Sequence, residues 1–401
     1  MAGSELIGQE EIKEVMDVLS TGVLARYNFD KERKGVFKVR QFEEEFARYC
    51  GTAYALGVTS GSAALKVSLE ALDVGPGDEV IVPAFTFLAT YEAVMEVGAV
   101  PVMADIDGSL NLDPEEIERK KTAYTKAAIP VHMCGAPAHI DRIMAAAKKN
   151  GLKVLEDNAQ SSGGSFRGKK LGSFGDMGIF SFDYYKTLTT GEGGMIITDS
   201  LALYHRAEWY HDHGHDHNPN VSRALEGRTI LGFNYRMNEL QGALGLAQLR
   251  KLDRIIAAQR ENRDAIAEAL RNIPGLKFRD VPDPDGDTAT HLAFNLPEES
   301  TAERFQKALA AEGIDTACFK KNLWHYVPNW EHFLARSMAR SKGYPFNDPA
   351  NEGRRMKYCR EDIPQADDLL GRTLVMGIAV KMPQEKIDAI KMGIARAAKA
   401  L

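Results

Sequence analysis

The chain has 401 residues, of which 44% are hydrophobic and 26% charged, and its formal net charge is -6. This length allows two domains with a large core, and the composition is ordinary for a folded globular protein. The modest charge gives no electrostatic reason to expect nucleic acid or a membrane surface as a partner. No apolar run approaches the roughly 18 residues of a membrane span, and the four cysteines lack CxxC spacing. The amino terminus has no signal-peptide pattern, so we expect a cytoplasmic protein with reduced thiols and a small polar metabolite as its ligand.

Helical and strand-like patterns alternate along the first half of the chain. A helix-periodic start at 6–19 is followed by a basic stretch at 31–40, which fits either a solvated surface loop or an anion-binding segment at the mouth of a site. Further helical patterns occupy 63–72, 88–97 and 140–149, and strand patterns occupy 79–83, 100–103, 127–131, 153–155 and 195–198. This alternation predicts an α/β fold with a mostly parallel sheet and helices on both faces.

The second half of the chain begins with a long amphipathic pattern. Apolar residues are spaced for one helix face from about 238 to 272, where Pro274 and Gly275 end the pattern. We predict one helix there, connecting to a smaller domain with an α+β pattern and a strand at 291–296. The predicted domains are therefore 1–250, a large α/β domain including the amino-terminal segment, and 251–401, the connector helix and the small carboxy-terminal domain.

A lysine and an aspartate carry the most specific chemistry in the sequence. Asp157 follows the strand pattern at 153–155, where open α/β sheets place their ligands, and Lys186 lies in a loop that runs to the glycine-rich 191–194. A lysine amine forms a Schiff base with the aldehyde of pyridoxal phosphate (PLP), and it attacks well only when burial or positive neighbours lower its pKa. A carboxylate at the pyridine nitrogen keeps the ring able to accept electrons. The pair therefore predicts a PLP site.

A turn rich in small residues at 59–65 joins a strand pattern to a helix and is a candidate phosphate site. Its backbone N–H groups and the hydroxyls of Ser60 and Ser62 can donate to a phosphate, although a serine-rich helix cap is also common. Ser181 could complete the phosphate shell. Phe85 and Phe87 follow a strand end, where a ring fits either stacking on a pyridine face or ordinary core packing.

In its lysine, its aspartate and its candidate phosphate turn, the chain resembles the DegT/StrS-type sugar aminotransferases, a branch of the fold-type I PLP enzymes. The resemblance covers nearly the whole length and rests on ordered blocks at 42–43 with 59–65, 77–83, 156–160, 172–176, 181–194 and 232–237. It implies a large PLP-binding domain with a mostly parallel sheet and a smaller α+β carboxy-terminal domain. The implied cofactor is PLP, with pyridoxamine phosphate as its intermediate form.

The resemblance also assigns the reaction class. By matching position, Lys186 forms the Schiff base, Asp157 meets the pyridinium nitrogen and Gln160 approaches the ring hydroxyl. Some relatives with histidine at the position of Lys186 are dehydratases, so the lysine favours transamination. Many relatives have histidine where this chain has Asp183, which leaves the Schiff-base chemistry intact but alters the local contacts.

The remaining implied contacts involve the phosphate, the ring face and a second subunit. Ser62, Ala63 and Ser181 are implied to hold the phosphate. The residue that lies over the ring is Phe87. The family consists of dimers whose sites the partner completes, which implies a homodimer in which Asn234 or Arg236 reaches the other subunit's cofactor.

A second set of blocks, at 26–30, 131–135, 212–217, 282–287 and 322–326, resembles the branch of this family that installs nitrogen at C8 of the eight-carbon sugar acid Kdo. It implies glutamate as the amino donor. The implied acceptor is the C8 aldehyde of oxidised Kdo, without a nucleotide, and the product is 8-amino-3,8-dideoxy-octulosonate. The candidate substrate contacts are Arg26, Tyr27, His213, His215 and His325.

Two of these contacts have competing interpretations. Arg26 fits a bidentate contact with the substrate carboxylate or an ion pair with Asp30 or a nearby glutamate. The alternating histidines at 211–217 allow a metal site or a polar loop at the substrate pocket. Gly214 interrupts the run and PLP chemistry needs no metal, so we predict none.

Two functions compete with transamination of oxidised Kdo. The first is a nucleotide-linked 3-keto or 4-keto hexose aminotransferase, in which the basic stretch at 31–40 would contact the diphosphate. The second is a regulatory protein that binds PLP without turnover.

Overall fold

A computed structural model describes residues 3–337 and 343–401 of the chain. Its main feature is a seven-stranded sheet of order β1-β9-β8-β5-β4-β2-β3. The strands of this sheet are β1 (Tyr54–Val58), β2 (Glu79–Pro83), β3 (Val100–Ala104), β4 (Thr125–Ala128), β5 (Lys153–Asp157), β8 (Met177–Ser181) and β9 (Gly194–Thr198). A small hairpin, β6 (Ser165–Phe166) with β7 (Lys169–Lys170), lies between β5 and β8 in the chain.

Strand β9 is antiparallel to both of its neighbours, and all other pairs in this sheet are parallel. The buried strands are rich in valine and isoleucine, as expected for a sheet that helices cover on both faces. Because parallel strands end at the same edge, the segments after β1, β2, β4, β5 and β8 converge at one side of the sheet. That edge is where ligands of open α/β sheets bind.

Helices cover the sheet and build the rest of the chain. They are α1 (Gln9–Thr21), α2 (Lys38–Cys50), α3 (Gly61–Ala71), α4 (Ala89–Glu96), α5 (Pro114–Lys120), α6 (Ile140–Asn150), α7 (Leu201–His211), α8 (Glu239–Leu249), α9 (Leu252–Leu270), α10 (Glu299–Ala311), α11 (Glu331–Leu334), α12 (Pro364–Arg372) and α13 (Gln384–Ala397). Several begin at side-chain caps, such as Ser60 for α3 and Asn238 for α8. In the described part of the chain, no helix is both long and apolar enough to cross a bilayer.

The single helix predicted over 238–272 is wrong, because the structure divides it into α8 and α9 at Arg250 and Lys251. The packing partners change along α9. Leu246 and Leu249 of α8 pack in the core around α2 and β9, whereas Ile266 and Leu270 of α9 pack against the small sheet. Leu252 and Ile256 in the first turns of α9 still pack in the core of α8, so the change of core falls inside α9, and periodicity alone does not reveal the break at Arg250 and Lys251.

The carboxy-terminal part contains a three-stranded antiparallel sheet of β10 (Lys277–Phe278), β11 (His291–Asn295) and β12 (Thr373–Gly377). Apolar residues of α9, α10 and α13 form a separate hydrophobic core against it. The predicted fold class is thus confirmed, with a large, mostly parallel sheet and a smaller α+β part. The boundary between 250 and 251 remains a prediction.

Candidate active site

A cavity of about 710 Å³ opens at the carboxyl edge of the large sheet. Lys186, Asp157 and Ser62 line it from three different segments of the large domain. His291 and Gly377 line it from the small sheet, so both parts of the fold contribute walls. We refer to this space as the Lys186 cavity.

Lys186 lies in the loop between β8 and β9 and is partly buried in the cavity wall. Its backbone is fixed by a hydrogen bond from its N–H to the carbonyl of Asp183 (3.0 Å) and by one from the N–H of Gly3 to its own carbonyl (3.2 Å). Burial lowers the pKa of Lys186 from its ordinary value, and the charge of Asp157 opposes that shift. A lysine with a lowered pKa has more of the neutral amine needed to attack an aldehyde.

Asp157 ends β5 and is only 3% exposed. One carboxylate oxygen accepts the hydroxyl of Thr90 (3.0 Å) and the other accepts the N–H of Ala159 (3.0 Å). Thr90 is in turn 2.8 Å from the hydroxyl of Thr86. Because an ionised carboxylate only accepts, Thr90 must donate to Asp157 and Thr86 to Thr90. This chain fixes the orientation of the carboxylate.

The protonation of Asp157 is set by opposing effects. Burial raises its pKa, while the N–H of Ala159, the hydroxyl of Thr90 and the charge of Lys186 oppose the increase. A buried carboxylate of this kind is stabilised by a cationic N–H group placed against it, and a protonated pyridine nitrogen is such a group.

Gln160 and Phe87 also reach the Lys186 cavity. The Gln160 side-chain oxygen accepts the N–H of Cys134 (3.0 Å), so its NH₂ group remains to donate to a ring oxygen. Phe87 is 38% exposed and lines the cavity, whereas Phe85 is fully buried and packs on Phe319 with a 4.8 Å centroid distance. Of the two aromatic candidates, only Phe87 is placed to face a ligand.

The first turn of α3 meets the end of β8 at the cavity floor. Ser60, Ser62 and Ser181 line the cavity there. The N–H groups of Gly61 and Ser62 have no helical acceptor, since they belong to the first turn. A Cβ built on Gly61 would lie 2.7 Å from the Cβ of Ser181, so the two segments approach as closely as glycine permits. The N–H of Ala63 donates to the Ser60 hydroxyl (3.0 Å), so the predicted contact of Ala63 with the phosphate, which remains a prediction, would replace or share this bond.

These residues fit PLP by their chemistry. An anion-binding helix terminus with hydroxyl donors suits the phosphate, a buried carboxylate suits the ring nitrogen, and a lysine of lowered pKa suits the aldehyde. All three groups line one cavity.

Arg26 and Tyr27 do not line the Lys186 cavity of the same protomer. They border a separate cavity of about 1010 Å³ beside the edge strand β1. Arg26 forms a buried ion pair with Glu43, and the Tyr27 hydroxyl is 3.1 Å from Nε2 of His211. The ion-pair alternative for Arg26 is therefore the one that the protomer shows, with Glu43 as the partner, and a substrate role for either residue remains a prediction.

The histidine-rich segment is also built into a local network outside the Lys186 cavity. Nδ1 of His215 is 2.6 Å from Glu226, and the backbone N–H of the exposed His213 donates to the carbonyl of Phe233 (3.0 Å). Within residues 3–337 and 343–401, no group of three or more histidine, cysteine, aspartate or glutamate side chains is arranged to hold a metal ion.

Asn234 and Arg236 lie beside this network. Arg236 donates to the buried Asp212 at 2.6 Å, and Asp212 also accepts from Arg223 at 2.6 Å. The Asn234 side-chain oxygen accepts the N–H of Arg236 (3.2 Å). Neither Asn234 nor Arg236 lines the Lys186 cavity of its own protomer, so their predicted role requires a second subunit.

His325 does line the Lys186 cavity, where its ring centroid is 5.5 Å from that of Phe87. Sequence reasoning missed further wall residues, among them His291, Trp324 and Thr90. The spacing of Thr86 and Thr90, four residues apart after a strand end, was the one available signal for the hydroxyl chain to Asp157. His291 carried no such signal, because it belongs to the second sheet.

The fold and this site define a protein of the PLP-dependent aminotransferase class. A model of the DegT/DnrJ/EryC1/StrS aminotransferase family matches residues 5–342, and the chain belongs to that family. The spore coat polysaccharide biosynthesis protein SpsC of Bacillus subtilis (strain 168) is 35% identical over 392 residues, covering 96% of this chain and 93% of the relative. The UDP-N-acetyl-3-dehydro-alpha-D-glucosamine 3-aminotransferase of Acidithiobacillus ferrooxidans is 38% identical over 284 residues, covering 70% and 73%.

Solved structures show the same architecture. 3-Amino-5-hydroxybenzoic acid synthase matches with a TM-score of 0.80 and 26% identity, covering 98% of this chain and 97% of that one. The E. coli GDP-4-keto-6-deoxy-D-mannose-3-dehydratase with bound hydrated PLP matches with a TM-score of 0.79 and 25% identity, covering 97% of both chains. This chain is thus a PLP-dependent aminotransferase, and the regulatory alternative without turnover is not supported.

Proposed function

We propose that this enzyme is a sugar aminotransferase that moves the amino group of glutamate to the C8 aldehyde of oxidised Kdo, giving 8-amino-3,8-dideoxy-octulosonate. The observation that carries the proposal is the charge of the Lys186 cavity. Among the described residues that line it, Lys186 is the only lysine or arginine, the acidic residues are Asp157, Asp183 and Glu192, and the other polar side chains are hydroxyl, amide, imidazole and indole groups. Such walls suit the hydroxyls of a free sugar, and the single carboxylate of Kdo requires fewer cationic partners than the diphosphate of a nucleotide-linked sugar.

Each residue of the site has a proposed task. When bound, PLP would carry the amino group between the two substrates and supply the ring that accepts electrons from the substrate's Cα. Nζ of Lys186 would hold the cofactor and, as the free amine, would move the proton at that carbon. Asp157, held by Thr90, keeps the ring nitrogen protonated. Gln160 donates to the ring oxygen.

The phosphate and the ring face complete this assignment. Gly61 and Ser62 offer N–H groups to the phosphate, and the hydroxyls of Ser62 and Ser181 add donors. Phe87 covers one face of the ring from the cavity wall.

We also propose that the enzyme works as a homodimer with shared sites. The loop before Asn234 exposes large apolar side chains, with Leu225 76% and Leu231 88% exposed. Exposed apolar groups in one segment are typical of an interface. If Asn234 acts in the partner's site, mixing inactive Lys186→Ala and Asn234→Ala subunits should restore about a quarter of wild-type activity, because half the dimers carry one intact site. A mixture that stays inactive after subunit exchange would contradict shared sites.

A nucleotide-linked keto-hexose is the second candidate acceptor. It is favoured by the relative from Acidithiobacillus ferrooxidans, whose name specifies a UDP-linked 3-keto sugar, and by the GDP-perosamine synthase of Caulobacter vibrioides, which is 43% identical over 220 residues. Two cationic residues of the basic stretch expected to contact the diphosphate already form ion pairs within the protomer. Arg33 pairs with Glu239 at 2.9 Å, and Lys38 pairs with Asp17 at 2.8 Å.

A substrate panel separates the two acceptors. The C8 aldehyde of Kdo and UDP-linked and GDP-linked keto-hexoses would be incubated with enzyme, PLP and glutamate, and the amino-sugar products detected by mass. We expect turnover of the Kdo aldehyde. Turnover of only the nucleotide-linked sugars would reject the Kdo assignment and support the second candidate.

The amino donor is tested in the absence of any sugar. Glutamate should shift the visible absorbance of the bound cofactor and release 2-oxoglutarate, one equivalent per site. If another amino acid changes the spectrum while glutamate leaves it unchanged, glutamate is not the donor.

A further inference from the structure

Backbone hydrogen bonds hold the segment 322–326 against the chain that follows β2. The N–H of Thr86 donates to the carbonyl of His325 (3.0 Å), and the N–H of Leu88 donates to the carbonyl of Trp324 (3.1 Å). On the other side, the Asn329 amide donates to the carbonyl of Asn322 (3.0 Å). The backbone of this segment is therefore fixed, and the side chains of Trp324 and His325 are presented to the Lys186 cavity from a rigid support.

The hydrogen bonds of Asn322 define the protonation of the His325 ring. Two backbone N–H groups, of Trp324 (2.7 Å) and His325 (2.9 Å), point at one terminal atom of the Asn322 side chain. Backbone N–H groups only donate, so that atom is the carbonyl oxygen. Nδ1 of His325 lies 3.1 Å from the same oxygen and must carry the hydrogen between them. In the neutral ring, Nε2 is then an unprotonated acceptor.

The surroundings keep the ring neutral. Burial, with the positive charge of Lys186 as the second cause, lowers the pKa of His325 to about 4. On the facing wall, burial lowers the pKa of His291 to about 3. The rings of Phe87 and Phe319 flank His325 at centroid distances of 5.5 and 5.2 Å. In residues 3–337 and 343–401, the one hydrogen bond of the His325 side chain is that of Nδ1, and Nε2 has no partner.

We propose that Nε2 of His325 accepts a hydrogen bond from a hydroxyl of the acceptor sugar and thereby selects the sugar in the Lys186 cavity. The inference rests on the proposed function, because it assumes that a sugar enters this cavity. A lone pair repels an anion, so the carboxylate or phosphate of the substrate must lie away from His325. A substrate carbon that bears only hydrogen at this position would leave Nε2 without a donor.

Separate half-reactions test this role. In His325→Phe, which retains a planar ring but loses the acceptor, the glutamate half-reaction followed by cofactor absorbance should stay within about twofold of wild type. The second-order rate constant of the sugar half-reaction should fall by about 5-fold to 150-fold, the range for one buried hydrogen bond left unmade. The sugars used are the C8 aldehyde of Kdo and a UDP-linked 3-keto hexose. His325→Gln, which restores an acceptor oxygen, should recover part of the loss.

A pH profile distinguishes hydrogen bonding from support of the loop. Asn322→Asp keeps the acceptor for Nδ1–H but adds a negative charge, which raises the pKa of His325. The sugar half-reaction should then lose rate on acidification at a higher pH than in wild type, because protonated Nε2 no longer accepts. His139→Gln is the matched control, since His139 precedes α6 and does not line the Lys186 cavity. Its two half-reactions should match those of wild type.

The outcomes separate this inference from the proposed function. Wild-type enzyme that converts glutamate but accepts neither sugar would refute the proposed acceptors. Wild-type enzyme that accepts a sugar, with His325→Phe equally fast, would overturn only the role of His325. An equal loss in both half-reactions would also overturn it, because the residue would then act on the cofactor. If His325→Phe fails to bind PLP, two other measurements test the role: the rate of the sugar half-reaction in His325→Gln and the pH profile of that half-reaction in Asn322→Asp. A wild-type rate in the first and a wild-type profile in the second would refute the role of His325.

Discussion

Gly61 offers a direct test of the phosphate site, because it is the point where α3 and β8 touch. A methyl group there would lie 2.7 Å from Cβ, 3.0 Å from Oγ and 3.3 Å from Cα of Ser181. Relief of these contacts requires the first turn of α3 and the end of β8 to separate. Overpacking of this kind costs about 1–3 kcal/mol. The same separation would move Ser62 and Ser181 apart, and both are proposed phosphate donors.

The expected result of Gly61→Ala is weaker cofactor binding. If the donors lose about 1–3 kcal/mol of interaction with the phosphate, the Kd for PLP rises by about 5-fold to 150-fold. The assay is titration of apoenzyme with PLP, followed by the visible absorbance of the bound cofactor. Titration with pyridoxal, which lacks the phosphate, should show a smaller change.

Gly75→Ala is the matched control, since the nearest atom to its new methyl group would be a backbone oxygen 3.8 Å away. Its Kd for PLP should equal that of wild type. Thermal unfolding of both apoproteins shows whether the variants are folded. A folded Gly61→Ala enzyme with wild-type affinity for PLP would refute the phosphate site, and equal losses for PLP and pyridoxal would place the damage elsewhere.

Three further predictions concern the lysine, its neighbour and the amino-terminal fold. Lys186→Ala should bind PLP without borohydride trapping and lose turnover, and measurable transamination would contradict the role of its amine. The rate of PLP attachment to apoenzyme should rise with pH through a lysine pKa below 10.5. Asp157→Asn should move that rise to lower pH, because the negative charge of Asp157 raises the pKa of Lys186 and its removal lowers that pKa; a shift to higher pH would contradict this electrostatic argument. Glu239→Ala removes the counter-charge of Arg33, where both side chains are 1% exposed, and should cost about 3–5 kcal/mol by urea unfolding at fixed protein and PLP concentrations. The exposed Glu385→Ala should change the same quantity by less than about 0.5 kcal/mol, and equal effects would show that the buried pair is not special.

The sequence alone predicted most of the large domain. The strand pattern at 79–83 is β2, and the patterns at 140–149 and 195–198 lie within α6 and β9. These elements were predictable because each carries a regular local pattern of buried apolar residues, whether it packs against one core, as α6 does, or against two, as β2 does. The single helix predicted over 238–272 failed because the apolar pattern continues across the break at Arg250 and Lys251, with Leu249 and Leu252 in the same core.

The residues of the site also differ in how far the sequence alone predicts them. Asp157 and Lys186 were identifiable because their chemistry is tied to a strand end and a glycine-rich loop in one domain. The part played by Thr90 became visible only when α4 placed its hydroxyl 3.0 Å from Asp157. Likewise, an arginine such as Arg26 can bind a substrate carboxylate, but only the tertiary structure shows that Arg26 forms an ion pair with Glu43.

The sequence by itself determined the sheet and the cofactor, and it predicted the two residues proposed for the ends of the ring, because local periodicity and residue type carry that information. Only the tertiary structure decided that His291 and His325 face Lys186 from the cavity walls and that a hydrogen bond to Asn322 leaves Nε2 of His325 as an acceptor. Those properties depend on distances between segments far apart in the chain and on the burial that their packing creates. Local sequence patterns report neither of these quantities.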